Sequence, residues 1–266
     1  MSRNRHQEDE ELLSFGGHLE VFRRMIFRII TVAGVISVFV FYFKNITWEL
    51  LLAPSEWNFS TYRWLEKLTG FIGLDFHFDE YHVNLIATDL SSQFMAHVYT
   101  SCYLGLLGAS PYVLYELFHF ISPALFENER QYSVKVASII YVLFILGVLM
   151  SYFVLFPISF RFLGTFSVSD RVVSNITLDS YISTFISLTL VMGIVFQLPV
   201  IAFFLAKMEI ITKEMLSKYR RHAFIVIMMI AAIITPPDLM TLILVTIPLY
   251  MLYEISIRVV GCVKHK

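Results

Sequence analysis

The sequence has few charged residues and almost no cysteine, and each shortage excludes a class of protein. Of the 266 residues, 15% are charged and 57% are hydrophobic, which leaves too little polar surface to cover a water-soluble domain of this size. The formal net charge is -1, so the chain lacks the lysine and arginine excess with which proteins bind nucleic acid. The two cysteines, Cys102 and Cys262, are too few and too far apart for a disulfide framework or a thiolate metal site.

Sequence motifs of catalysis are missing as well. The chain contains no His-Glu-x-x-His zinc motif, no glycine-rich phosphate loop with its lysine and no Gly-x-Ser-x-Gly elbow, and only the segment 108–111 partly resembles a serine-nucleophile turn. His97 and His119 are isolated in an apolar segment, where a histidine is more often a hydrogen-bonded structural residue than a base or a ligand. We therefore predict that the chain is not an enzyme and holds no cofactor or metal.

The chain instead contains six long apolar segments separated by short charged ones. A helix needs roughly 20 apolar residues to cross about 30 Å of hydrocarbon, and the pattern predicts spans at 22–43, 94–120, 134–156, 181–205, 223–234 and 239–260. The fifth is short, and Pro236 and Pro237 force a turn directly after it. The expected fold is all-α: one integral membrane domain, residues 1–266, with six transmembrane helices of which the last two are short.

The distribution of positive charge predicts how this domain is oriented. If the N-terminus lies inside, fifteen of the 20 lysines and arginines fall on one face and five on the other, so residues 1–21 and 261–266 are expected in the cytoplasm of a bacterium. An acidic run, 8–11, precedes the first span, which is not typical of a cleavable signal peptide. The connection 44–92 contains all three tryptophans. Because tryptophan favours the headgroup level, we expect this connection to form an outer cap of short amphipathic helices.

Polar side chains at membrane depth point to function because they are costly there. Glu116, Glu254 and Gln197 are such residues, and Pro199 is expected to bend the helix beside Gln197. A hydrogen bond to a neighbouring helix would explain Gln197 equally well. Glu129 follows the second span and could accept guanidinium groups bidentately, although a solvated loop carboxylate is the simpler interpretation of its position.

Four segments carry motifs that recur in order along most of the chain. They are His18 to Arg24, Ala109 to Arg130 with its Ser-Pro, Pro-Ala-Leu and Glu-Arg elements, Phe196 to Pro199, and Thr235 to Asp238 followed by Tyr253-Glu254. In these segments the chain resembles the TatC family, whose members are subunits of the twin-arginine protein translocase. One such segment is a weak signal, whereas four in the same order are specific.

The resemblance implies a receptor and core subunit that binds twin-arginine signal peptides and exports folded proteins by using the proton-motive force. It implies an oligomeric complex with single-span partner subunits of the TatA/TatB type in the bacterial cytoplasmic membrane. By position, the implied peptide-binding residues are Glu129, Arg23, Phe120 and Leu125, with Glu20 as a candidate second carboxylate. Further family positions, in the membrane or the assembly, are Gln197, Glu254, Pro54, Asp238 and Thr235.

Two residues depart from the family pattern. Val21 stands where an N-terminal glutamate is usual, and Gln197 stands where a buried glutamate is usual. The second carboxylate for an arginine pair is therefore expected from Glu20 or is absent. From the residues alone, two other functions stay open: a secondary transporter of a small solute, built from six spans with polar groups at depth, and a structural membrane scaffold.

Overall fold

The computed structural model describes residues 2–71, 80–81, 83–125, 133–167, 169, 175–235 and 238–263. These residues are almost entirely helical. The helices are α1 (Ser2–Tyr42), α2 (Lys44–Leu52), α3 (Ser60–Phe71), α4 (Ser92–Leu125), α5 (Ser133–Met150), α6 (Phe156–Thr165), α7 (Leu178–Val195), α8 (Leu198–Lys207), α9 (Lys213–Lys218), α10 (Arg220–Ile234) and α11 (Leu239–Gly261). Two short strands, β1 (Leu85–Ile86) and β2 (Ile176–Thr177), pair in parallel. The all-α class is confirmed, with this small pair as an addition.

Three helices begin at residues whose side chains satisfy the free N–H groups of the first turn. Thr177 accepts a hydrogen bond from the N–H of Ser180 at the start of α7. Thr212 accepts one from Met215 at the start of α9. Asp238 accepts one from the N–H of Thr241, 2.7 Å away, at the start of α11. Such caps replace water at the helix end, and they explain why the helices start where they do.

The predicted third span is interrupted. Residues Ser151–Leu155 form a π-helical turn between α5 and α6, and Pro157 follows in the first turn of α6. Because proline has no N–H, Pro157 cannot donate to the carbonyl four residues earlier, that of Phe153. The hydroxyl of Thr61 in α3 donates to that carbonyl instead, and the hydroxyl of Tyr62 donates to the carbonyl of Pro157 at 2.7 Å. The cap is therefore bonded to the bend.

Four helical stretches among the described residues have the length and composition to cross a membrane: Leu19–Tyr42, Val136–Thr165, Leu178–Lys207 and Leu239–Gly261. They correspond to the predicted first, third, fourth and sixth spans. The helix α4 has 34 residues and covers the predicted second span, and α10 covers the fifth with 15 residues. The prediction that the last two helices are short is correct for α10 but wrong for α11, which has 23 residues. Pro248 lies inside α11 without ending it.

The contacts divide the chain into two compact units. The first comprises Met1–Tyr42 and Ser101–Tyr141 and the second comprises Phe43–Thr100 and Val142–Lys266. In the first unit, α1 and α4 approach closely where Gly105 faces Ser37, since an added Cβ on Gly105 would lie 2.7 Å from the Cα of Ser37. Small residues permit such approaches between helices in a membrane. The assignment of the whole chain to a single domain stays a prediction.

The second unit contains the predicted cap and an aromatic core. The ring of Phe156 lies 5.1 Å from that of Tyr181 and 5.0 Å from that of Phe185, both in edge-to-face geometry. All three side chains are buried. Elsewhere in this unit, Ala202 and Ala206 of α8 pack against Val260 of α11. The prediction of short helices in the cap is confirmed by α2 and α3.

Candidate functional site

The first candidate site lies on α1, in the segment that begins at residue 19. Glu20, Arg23 and Arg24 are all exposed there, and the guanidinium of Arg24 bonds the carboxylate of Glu20 one turn away. The side chains of Glu20 and Arg24 remain 52% and 66% exposed. An exposed pair of this kind contributes about 0–1 kcal/mol, so the carboxylate of Glu20 can exchange this arginine for another at little cost.

Within the same unit, α4 brings an aromatic residue to this part of α1. The ring of Phe120 lies 5.6 Å from that of Phe22 at an angle of 49°. Phe22 is still 41% exposed, so the pair leaves apolar surface available next to Glu20 and Arg23. One predicted peptide-binding position on α4, Phe120, thus contacts α1 at Phe22, which lies next to Arg23 and two residues after Glu20 in sequence.

One turn before Phe120, Glu116 forms the most enclosed ionic group of this unit. Its carboxylate lies 3.6 Å from the guanidinium of Arg28 on α1, and its side chain is only 12% exposed. The hydroxyl of Tyr112 donates to the same carboxylate at 2.7 Å. Because Arg28 lies six residues beyond Phe22, this pair is about 9 Å further along the helix. An ion pair at that depth neutralises two charges that would be costly alone.

Sequence reasoning had named Glu116 but not its partner. Arg28 was counted among the charges that set orientation, because it lies within one apolar run with no acidic residue nearby in sequence. The signal that was available is its depth: Arg28 follows Arg24 by one helical turn, toward the centre of the candidate span Leu19–Tyr42. A cation there requires a counter-charge, and α4 supplies it.

Two of the predicted positions are not described in full. Glu129 and its neighbour Glu127 lie outside the described residues. Leu125 is the last residue of α4. The carboxylate of Glu129 and the part of the peptide-binding surface at Leu125 therefore stay predictions from the sequence.

The remaining predicted residues lie in the second unit. Glu254 on α11 pairs with Arg220 at the start of α10, at 3.1 Å. The Nε2 of Gln197 donates to the carbonyl of Gly193 at 3.4 Å, so its amide is used at the break between α7 and α8. Asp238 caps α11, and the hydroxyl of Thr235 donates to the carbonyl of Ala231 at 2.9 Å. Glu254 lies roughly 24 Å along α11 from Asp238, so these residues form separate local sites.

Pro54 is buried in the 3-10 turn Ala53–Ser55, where a network of tyrosine hydroxyls surrounds it. The hydroxyl of Tyr81 lies 3.1 Å from the carbonyl oxygen of Ser55 and 3.1 Å from the hydroxyl oxygen of Tyr62, so its single hydrogen is shared between these two acceptors. Burial raises the pKa of both phenols above the ordinary value of 10.0, so they stay neutral donors. The guanidinium of Arg161 lies 5.1 Å and 4.7 Å from the centres of the two rings. The role visible for Pro54 is thus to shape the cap.

Metal binding finds no support in this arrangement. Across the described ranges, no three histidine, cysteine or carboxylate side chains lie close enough together to hold an ion. The cysteines Cys102 and Cys262 are both exposed and unbonded to each other.

Comparison with known proteins gives consistent results. Residues 17–248 match the family described as Sec-independent protein translocase protein (TatC). The chain is 33% identical to the Sec-independent protein translocase protein TatC of Blattabacterium sp. subsp. Periplaneta americana (strain BPLAN), over 98% of this chain and 99% of that one. It is 36% identical to the TatC protein of Helicobacter pylori (strain J99 / ATCC 700824), over 72% of this chain and 80% of that one.

Solved structures agree with these relatives. A crystal structure of the twin arginine translocase receptor TatC superposes with a TM-score of 0.72 at 29% identity, covering 92% of this chain and 98% of that one. A second crystal structure of this receptor, in DDM, superposes with a TM-score of 0.71 at 30% identity, covering 91% and 98%.

Proposed function

The chain belongs to the TatC family of Sec-independent protein translocase proteins, and from this premise we propose that the inner part of α1 and α4 receives twin-arginine signal peptides. It is a multi-pass membrane protein and a translocase subunit, not an enzyme. The observation that carries the proposal is the contact of Phe22 with Phe120, because it brings α4 to the turn of α1 that contains exposed Glu20 and Arg23. A transporter of small solutes is not favoured by any of the relatives.

The arginine pair of the peptide is proposed to meet two carboxylates. Glu20 is exposed, and among the described residues it pairs with Arg24, one turn away, so an incoming guanidinium can replace that partner with a bidentate bond. Glu129, which lies beyond the end of α4 in sequence, is proposed as the principal carboxylate. Val21 cannot serve, since it has no charge. Arg24 thus occupies the carboxylate of Glu20 weakly, and an arginine of the peptide can displace it easily.

Charge alone would give a weak complex, and the apolar part of the peptide is proposed to supply the rest. Leu19, Val21 and Phe22 on α1 and Tyr115 and Leu117 on α4 are each more than 40% exposed. Burial of such surface stabilises a complex by about 25 cal/mol per Å². An apolar peptide segment lying along these side chains would therefore contribute more than a single exposed ion pair.

We also propose the wider assembly that the family suggests. Single-span partner subunits of the TatA/TatB type are proposed to use four polar residues of the second unit, Gln197, Glu254, Asp238 and Thr235, together with Pro54 of the cap. The bacterial cytoplasmic membrane, with both termini in the cytoplasm, is proposed from the excess of fifteen lysines and arginines over five on the opposite face. Transport of folded proteins is proposed to use the proton-motive force.

A crosslinking experiment tests the peptide site. A signal peptide with a photoreactive residue next to its arginine pair is irradiated with membranes that contain the full chain or the variants Glu129→Gln and Glu20→Gln. We expect a large loss of crosslinking for Glu129→Gln, a smaller loss for Glu20→Gln, and no loss for Glu56→Gln, an exposed cap glutamate that serves as the matched control. Undiminished crosslinking to Glu129→Gln would eliminate the proposed principal contact.

A second arm separates charge recognition from general disruption. The variant Glu129→Lys is paired with a peptide whose two arginines are replaced by glutamates, and recovery of crosslinking is expected. Export of a folded reporter that carries a twin-arginine signal, measured in cells with and without this chain, tests the translocase function itself. A change in solute uptake with unaltered reporter export would instead support a transporter.

A further inference from the structure

An open pocket in the second unit lies outside the surfaces discussed so far. It is lined by Lys44, Ala87, Asp89, Leu90, Gln93, Phe94 and His97 and has a volume of about 570 Å³. The lining comes from the start of α2, the segment after β1 and the first turns of α4. It combines one cation, one carboxylate, an amide, an imidazole and three apolar side chains, which is a mixed composition that a purely structural cleft does not need.

The imidazole of the pocket is held in one orientation by Trp48. The indole Nε1–H donates to Nδ1 of His97 at 3.2 Å, so the hydrogen of the neutral ring is on Nε2. His97 is buried to 6% exposure. Lys44, which is exposed, provides a positive charge in the same pocket. A cation at an open pocket suits a phosphate group.

The other side of the pocket carries a negative charge and apolar side chains. Asp89 is exposed and presents a carboxylate, which would repel a simple phosphate ion but would attract an ammonium group next to the phosphate. Leu90 is fully exposed and Phe94 is 60% exposed. These apolar side chains at the rim would contact a hydrocarbon chain rather than water.

The pocket also lies at the boundary of the apolar region. Lys44 comes two residues after the end of the candidate span Leu19–Tyr42, and the α4 residues of the pocket belong to the first turns of a 34-residue helix. Trp48, half-buried beside His97, is of the residue type that favours the headgroup level of a bilayer. A ligand in the pocket would therefore have its polar part at the level of lipid headgroups.

We propose that this pocket binds a phospholipid whose headgroup carries both a phosphate and a primary amine, of the phosphatidylethanolamine type. The phosphate is bound by Lys44, the ammonium is bound by Asp89, and an acyl chain lies on Leu90 and Phe94. A lipid with phosphate but no amine would leave Asp89 without a cation, and a lipid with a trimethylated amine would offer no N–H to it. The pocket therefore selects the primary amine.

Fluorescence of Trp48 can report on this site directly. The full chain with Trp57→Phe and Trp64→Phe keeps Trp48 as its only tryptophan and is reconstituted in phosphatidylcholine vesicles. Lipids with brominated acyl chains and ethanolamine, choline or glycerol headgroups are then added at increasing mole fractions, and quenching of the tryptophan is measured. We expect half-maximal quenching at an about tenfold lower mole fraction for the ethanolamine lipid than for the other two.

Two variants and two matched controls complete the test. Asp89→Asn should raise the half-maximal mole fraction of the ethanolamine lipid to that of the glycerol lipid, whereas Lys44→Gln should raise it for all three lipids. Lys67→Gln and Glu56→Gln, which remove exposed charges of the cap outside the pocket, should change nothing. Soluble glycerophosphoethanolamine, added at millimolar concentration, should not reverse the quenching because it lacks the acyl chains.

Three results would overturn the proposal. Equal quenching by the three lipids would show that the pocket does not distinguish between the headgroups. An equal effect of Lys44→Gln and Lys67→Gln would show that the charge acts through the surface in general. Reversal by glycerophosphoethanolamine would assign the pocket to a soluble phosphate compound instead of a lipid. Circular dichroism of each variant establishes that the helices are intact, so that a loss of quenching reports on binding.

Discussion

Replacing Gly105 by alanine should separate α1 from α4. A Cβ at this position would lie 2.0 Å from Oγ of Ser37 and 2.7 Å from both its Cα and its N. The hydroxyl could rotate away, but the backbone cannot. Real Cβ atoms essentially never lie within 3.0 Å of such an atom, so the helices must move apart by at least 0.3 Å to lengthen the 2.7 Å backbone contact to this limit. A movement of 0.7 Å is needed to reach an ordinary contact of 3.4 Å. Overpacking of this kind costs about 1–3 kcal/mol.

Two further variants isolate the backbone clash from other effects. In Gly34→Ala, also on α1, the added Cβ meets no described atom within 4 Å, so this variant measures the effect of alanine in a helix and should be neutral or slightly stabilising. The double variant Gly105→Ala/Ser37→Ala removes the hydroxyl but keeps the backbone contacts at 2.7 Å. It should therefore remain nearly as destabilised as Gly105→Ala alone.

The assay combines stability with a local probe. Thermal unfolding in detergent should show a lower midpoint for Gly105→Ala than for the parent or for Gly34→Ala. Cysteines placed at positions 22 and 120, whose rings are 5.6 Å apart, in a background with Cys102→Ser and Cys262→Ser, should form a disulfide more slowly in the Gly105→Ala variant. If Gly105→Ala unfolds and crosslinks like the parent, the close approach of the two helices is not what holds this unit together.

Three other predictions follow from contacts described above. Arg28→Gln should destabilise the protein by about 1–3 kcal/mol in thermal unfolding, since it leaves the enclosed carboxylate of Glu116 without its cation; Glu116→Gln should cost less because Arg28 is 63% exposed, and equal losses would contradict this asymmetry. Tyr62→Phe should cost about 1 kcal/mol by removing the bond to Pro157. Because burial raises the pKa of Tyr62 above 10.0 in the folded state, its stabilising effect is present below pH 10 and is lost above it; unfolding at pH 8 and 10.5 should show this fall in the parent and less of it in Tyr62→Phe, and an unchanged pH dependence would contradict it. Asp238→Ala should lower the unfolding midpoint by the equivalent of about 1 kcal/mol, while Asp238→Asn should not, and equal midpoints for both would show that the cap of α11 is dispensable.

The sequence predicted the helices well because their signal is compositional. Long apolar runs require helices in a membrane, and the paired prolines after residue 235 require a break, so the positions of α10 and α11 followed from residue type alone. The family motifs added the proposed peptide-binding positions, including Phe120 and Glu20. These features depend on segments of continuous sequence, which can be recognised without knowing what lies beside them.

What sequence reasoning missed depends on partners that are distant in sequence. Nothing near Arg28 indicates Glu116, and nothing in the cap indicates that Thr61 bonds the third span at Phe153. The predicted bounds of the sixth span, 239–260, agree with α11, which continues through Pro248, so only the description of this helix as short was wrong. The small β1–β2 pair was also not predicted, since two-residue strands carry no recognisable period.

Pro157 has no N–H to donate to the carbonyl of Phe153, and this carbonyl is therefore a point at which the cap is bonded to the third span. If the cap were to detach from the bend, the carbonyls of Phe153 and Pro157 would lose the hydroxyl donors that Thr61 and Tyr62 provide. The carbonyl of Pro157 would keep its bond within α6, whereas that of Phe153 would be unsatisfied, which costs several kcal/mol in an apolar surrounding. The cap therefore stays anchored as long as the third span keeps its bend. If that span tilts, the cap moves with it.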